Sequence, residues 1–142
     1  MATVELRFSA LPEHVRTARL VAVAVARRAG VDESVLDEVR LAVGEACSRA
    51  VSLHQRGGVQ GGAVRVALTD QEKRFLIEVE DEAGPAGLPP LGSTAEEMGE
   101  DAEDALGLAV ITALVEDVEV TSGANGGLIR MSWGVPTESV DL

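Results

Sequence analysis

In the stretch DEVRLAVGEACSRAVSLH, Asp37 to His54, Glu45 and Arg49 stand four residues apart. Val35, Val39, Ala42, Val43, Ala46, Ala50 and Leu53 recur at helical spacing, so the stretch reads as one long amphipathic helix. Each residue turns a helix by about 100°, which puts Glu45 and Arg49 together at the edge of the apolar stripe, where the helix meets the rim of a sheet. A carboxylate there can act as a base or polarise an attacking group. The arginine can supply charge to a phosphate, or it can cancel the carboxylate as an i,i+4 ion pair worth only about 0.3–0.5 kcal/mol when exposed. Asp81 at the end of a strand, the loop after it, and Gly107 in ALGLAV at the opening of a helix complete a set that reads as a nucleotide pocket.

The elements that must hold this set follow from the hydropathy pattern. Val4, Leu6 and Phe8 alternate with polar residues as in a half-buried strand, and ALPEH opens a helix near Pro12 that Gly30 ends. Asp32 is placed to cap the Glu45 helix, which runs to about His54 before QRGGVQGG breaks it. AVRVALT and RFLIEVED, joined by DQEK, read as a hairpin. Residues 84–104 read as an acidic, lid-like loop, because AEEMGEDAED holds six acids and no base. ALGLAVITALV then gives a short helix, EDVEVTS a strand, GANGG a turn and LIRMSW a last strand. This order implies one α+β domain over residues 1–142, a two-layer sandwich with a mixed, mostly antiparallel sheet and helices on one face.

Composition narrows the function. The 142 residues carry 12 Lys and Arg against 24 Asp and Glu, a net charge of −12, which disfavours nucleic acid and anionic membrane as partners and favours a basic protein. Cys47 is the lone cysteine, and no Cys/His group has metal-ligand spacing. The N-terminus MATVELRFSA lacks the basic and apolar regions of a signal peptide, and LVAVAVA, Leu20 to Ala26, falls far short of the roughly 20 apolar residues a membrane span needs. The expectation is a reduced, cytoplasmic protein. Among the remaining polar and aromatic residues, His54 reads as a helix-end residue near the C-terminal dipole and Trp133 as a core residue on an edge strand.

The two N-terminal helices, DEVRLAVGEA, the IEVED strand ending in Asp81, and ALGLAVITALVEDVEVTSGANGGLIRMSW resemble the anti-sigma factor serine kinases of the RsbW and SpoIIAB type. These belong to the histidine-kinase-like, Hsp90-like ATPases of the Bergerat fold, and the resemblance covers nearly the whole chain. It implies that Glu45 is the catalytic carboxylate, acting as a base or polarising an attacking group, that Asp81 accepts a hydrogen bond from the adenine amino group, and that Gly107 and Leu108 open a phosphate-binding helix. It also marks departures. Arg49 stands where the family has a magnesium-ligating asparagine, and a pure donor cannot coordinate a cation. Ala83 and Pro85 stand at the two glycine positions after the aspartate, flanking Gly84, and the proline stiffens the loop. Asp104 and Ala105 stand where the family has small residues or glycines, and an acid beside a triphosphate repels it.

Taken with the resemblance, these residues imply a regulatory protein that binds a sigma factor, an anti-sigma factor antagonist of STAS type, or both. ATP binds weakly or not at all, and the magnesium site is lost. An active serine kinase acting on the antagonist and a magnesium-independent nucleotide sensor are the other two readings. The family also implies a homodimer paired through the sheet, with the N-terminal strand as an exposed edge.

Overall fold

A computed structural model describes residues 2–56, 62–83, 107–123 and 126–136. β1 (Ala2–Ser9) leads into α1 (Glu13–Arg28), a single 3-10 turn (Glu33–Val35) and α2 (Leu36–Arg56), followed by the hairpin β2 (Ala63–Asp70) and β3 (Arg74–Glu80). After α3, helical over 107–114, come β4 (Asp117–Gly123) and β5 (Gly126–Gly134). The five strands form one sheet in the order β1-β2-β3-β5-β4. Its four pairings are all antiparallel, in keeping with the mostly antiparallel sheet the sequence suggested, and no parallel pair occurs among the described residues. β5 inserts between β3 and β4, which moves Trp133 from the expected edge to an interior strand, 2% exposed and tilted against Phe75, its partner in register, at 6.4 Å.

The helices form because small apolar residues recur on one face. Ala18, Ala22 and Ala26 of α1 and Ala42, Ala46 and Ala50 of α2 are all buried, and their small side chains let the two helices pack closely over the sheet. Beneath them lie Val64, Val66 and Leu68 of β2, Phe75, Ile77 and Val79 of β3, and Ile129, Met131 and Trp133 of β5. α1 ends on Gly30 at φ +91°, where the Val31 amide reaches back to the Ala26 carbonyl at 3.1 Å, so glycine relieves the left-handed strain. Asp32 does cap, but it caps the 3-10 turn that precedes α2. Its carboxylate accepts from the Ser34 hydroxyl at 2.7 Å and the Ser34 amide at 2.9 Å, and these bonds hold its pKa below the usual carboxylate value. The β2–β3 turn is tightened by Asp70, which accepts from the Glu72 amide at 2.9 Å while Glu72 takes a positive φ of 67°.

The other face of the sheet carries charges in cross-strand rows. Arg65 lies between Glu5 (3.0 Å) and Glu80 (3.9 Å), and Arg130 between Glu78 (3.7 Å) and Glu119 (4.0 Å). Arg74 reaches Asp117 at 2.8 Å and Ser132 Oγ at 2.9 Å. Each such half-exposed pair is worth about 0.2–1 kcal/mol, against about 1.5–3 kcal/mol for each fully buried aliphatic or aromatic side chain on the opposite face. Burial against the helices therefore sets the fold, and the ion pairs refine strand register.

Gly44 of α2 faces α1, and a Cβ built there would stand 2.9 Å from Cδ of Arg19, an exposed and flexible side chain. Because Arg19 can swing aside, Gly44→Ala should gain helix propensity and raise stability in urea unfolding by up to about 1 kcal/mol. A clear loss would show that the Arg19 stem is fixed against α2.

Candidate functional site

α2 supplies one wall of the site. Its buried face runs through Val39, Ala42, Val43, Ala46, Cys47, Ala50 and Val51, which leaves Glu45 and Arg49 half-buried at its margin, as the helical pattern required. Cys47 lies fully inside, where burial pushes its thiol up to about 12 and Arg19 offsets part of that rise; it takes no part in the site. Glu45 meets α3: its Oε2 lies 3.1 Å from the place a Cβ on Gly107 would occupy. Glycine at 107 thus lets α3 run close against the carboxylate. Leu108, one residue on, is half-buried and packs against the hydrophobic core, and its carbonyl accepts from the Thr112 hydroxyl at 2.8 Å. The Nε of Arg49 is buried at the helix margin.

The second part of the site is the turn after β3. Asp81 is 4% exposed, and a carboxylate so buried must be met by donors. Two backbone amides meet it: Oδ1 accepts from Gly127 at 3.1 Å and from Ala83 at 3.0 Å. The Asp81 amide in turn donates to the Gly127 carbonyl at 3.0 Å, so the side chain replaces the backbone carbonyl in what would be the next rung of the β3–β5 ladder. The displaced Asp81 carbonyl faces Gly126, where a Cβ would stand only 1.8 Å from its oxygen, and Gly126 sits at φ +137°. At Gly127 a Cβ would stand 3.0 Å from Asp81 Oδ2. Two consecutive glycines at the start of β5 therefore make the bed for the aspartate.

His54 lies in the last turn of α2, as its helix-end reading implies, but it is buried there: it is 1% exposed, and its Nε2 accepts from the Glu82 amide at 2.9 Å. The structure thus gathers Asp81, Ala83, Gly126, Gly127 and His54 at one end of the site, and Glu45 and Gly107 at the other. Glu45 and His54 share α2, nine residues and so about 13 Å of helix rise apart. Gly84, Pro85, Asp104, Ala105 and the acidic segment 84–104 lie outside the described residues. The paired glycines of GANGG were legible in the sequence only as a turn, and their signal is that they fall opposite the aspartate once β5 pairs with β3.

The sequence profile of the histidine kinase-like ATPase domain matches residues 8–133, and the chain belongs to this family, in its RsbW-type branch. It is 34% identical over 147 residues to the serine-protein kinase RsbW of Bacillus pumilus, covering 97% of this chain and 89% of the relative. It is 28% identical over 145 residues to the serine-protein kinase RsbW of Oceanobacillus iheyensis, covering 98% and 90%. Its fold matches the crystal structure of the RsbU and RsbW domains of a Mycobacterium tuberculosis protein with a TM-score of 0.67 at 20% identity. That match covers 99% of this chain and 35% of the other. The α+β architecture expected from the resemblance is thereby met.

Arg49 offers only N–H donors and a positive charge one turn from Glu45, and both oppose a cation.

Gly126→Ala should be severe, because both its φ and the 1.8 Å approach to a backbone oxygen are incompatible with a side chain. A loss of more than about 2 kcal/mol in urea unfolding is expected. A near-neutral result would mean that the Asp81 turn is not seated on β5 as described.

Proposed function

We propose that this chain is an anti-sigma-factor-like regulator that acts by binding a sigma factor, a STAS-type antagonist, or both, and that its ATP site is impaired. The observation that carries the proposal is Arg49, a cationic donor on the margin of α2 one turn beyond Glu45, at the position where the resemblance calls for a metal ligand. The net charge of −12 suits a basic protein surface. A cytoplasmic location and a second copy paired through the sheet belong to this proposal.

An active serine kinase is the second reading. It is favoured by relatives that bear the name serine-protein kinase and match nearly the whole chain.

Calorimetric titration with ATP, with and without magnesium, separates the two. The wild type should give no magnesium-dependent binding, and Arg49→Asn should restore it by at least about tenfold, or about 1.4 kcal/mol. Tight magnesium-dependent binding by the wild type would overturn the impaired site and put the kinase first. The regulator should also capture a sigma factor or antagonist domain without added ATP, and strict ATP dependence of that complex would sink the binding role. Light scattering should give a dimer, and a monomer at high concentration would remove the sheet-paired copy.

A further inference from the structure

The Glu82 amide could have been satisfied by water, since Glu82 lies at an exposed turn. It donates instead to a ring that is 1% exposed. An imidazole nitrogen accepts a hydrogen bond only when it carries no proton, so Nε2 is the bare nitrogen and the ring proton rides on Nδ1. Nδ1 is itself buried with no hydrogen-bond partner among the described residues. The surroundings define what the Nε2 bond does. Glu82 follows Asp81 directly, and Ala83 after it donates to Asp81 Oδ1 at 3.0 Å. The Glu82 side chain is held as well, with Oε2 accepting from the Ala63 amide at 3.3 Å and Oε1 lying 3.8 Å from Arg7.

We propose that His54 is a positioning residue: neutral and buried at Nε2, it fixes the turn that carries Asp81, and so sets the orientation of that carboxylate before any ligand arrives. α2 thereby holds both ends of the site, Glu45 toward Gly107 and His54 toward the Asp81 turn, and one rigid helix fixes their separation. Such preorganisation lowers the ordering cost of whatever binds there. The assignment goes beyond the binding role proposed above and holds whether or not the site takes a nucleotide.

Nuclear magnetic resonance on the full chain without nucleotide tests it. In the wild type, a scalar coupling across the N–H···N bond should join the Glu82 amide nitrogen to His54 Nε2, and the ring nitrogen shifts should place the proton on Nδ1. His54→Leu, which keeps bulk without an acceptor, should speed hydrogen exchange at Glu82, Ala83 and Gly127 by about tenfold, while Val66 and Ile77 in the core strands stay protected. His54→Gln, whose amide oxygen can accept, should recover protection at Glu82. Absence of the coupling, a proton on Nε2, or equal exchange in all three proteins would overturn the proposal. Exchange rising equally in the core strands would also overturn it, by showing that the ring serves packing alone. If the leucine variant does not fold, the wild-type coupling and the glutamine variant decide the matter. None of these readouts depends on ATP, so their failure is distinct from failure of the impaired-site reading.

Discussion

The site is organised by one electrostatic constraint: the Asp81 carboxylate is almost fully buried and must find donors inside the protein. It finds them in the backbone of β5 and in its own turn, and the consequences spread outward. β5 lies beside β3, where it brings its Gly127 amide to the aspartate, and β4 takes the edge. The residues facing the aspartate must lack side chains, hence Gly126 and Gly127. The turn beyond it must be anchored, which brings α2 into the arrangement through His54. A glycine pair and a buried histidine thus serve the placing of a single carboxylate.

That network bears on how a family fold can change its work. α1, α2 and the sheet depend on apolar burial that is indifferent to nucleotide chemistry, so Arg49 and Ala83 can stand at family positions without disturbing the core. Arg49 sits at the helix margin and Ala83 contributes its amide to the turn. The apolar architecture of the fold is physically separable from the few side chains that would hold a metal and a triphosphate.

Much of this was legible in the sequence because burial imposes a period. The strand alternation of Val4, Leu6 and Phe8, the helical spacing from Val39 to Ala50 and the hairpin around Glu72 each announce themselves locally, and so does the placement of Glu45 and Arg49 on one margin. Strand order does not, because nothing local distinguishes an edge from an interior strand in LIRMSW, and Trp133 was misplaced for that reason. His54 was hidden because its partner is a backbone amide 28 residues away. A helix-end histidine looks the same in sequence whether it faces water or a buried N–H. The Asp81 bed was half visible: the aspartate and the glycines could be seen, but not that they meet.

β1 differs from its neighbours in how it is reached along the chain. β2 and β3 close over a short turn, whereas β1 meets β2 only across the whole helical pair, with Ala2 opposite Asp70 and Ser9 opposite Ala63. Loop-closure entropy falls hardest on that pairing, since the ends to be joined are farthest apart. A chain is made from its N-terminus, so β1 leaves the ribosome before its partner β2 has been synthesised. Through the making of both helices β1 can form no ladder with its own sheet, and Val4, Leu6 and Phe8 wait in that interval for a neighbour that arrives only with β2.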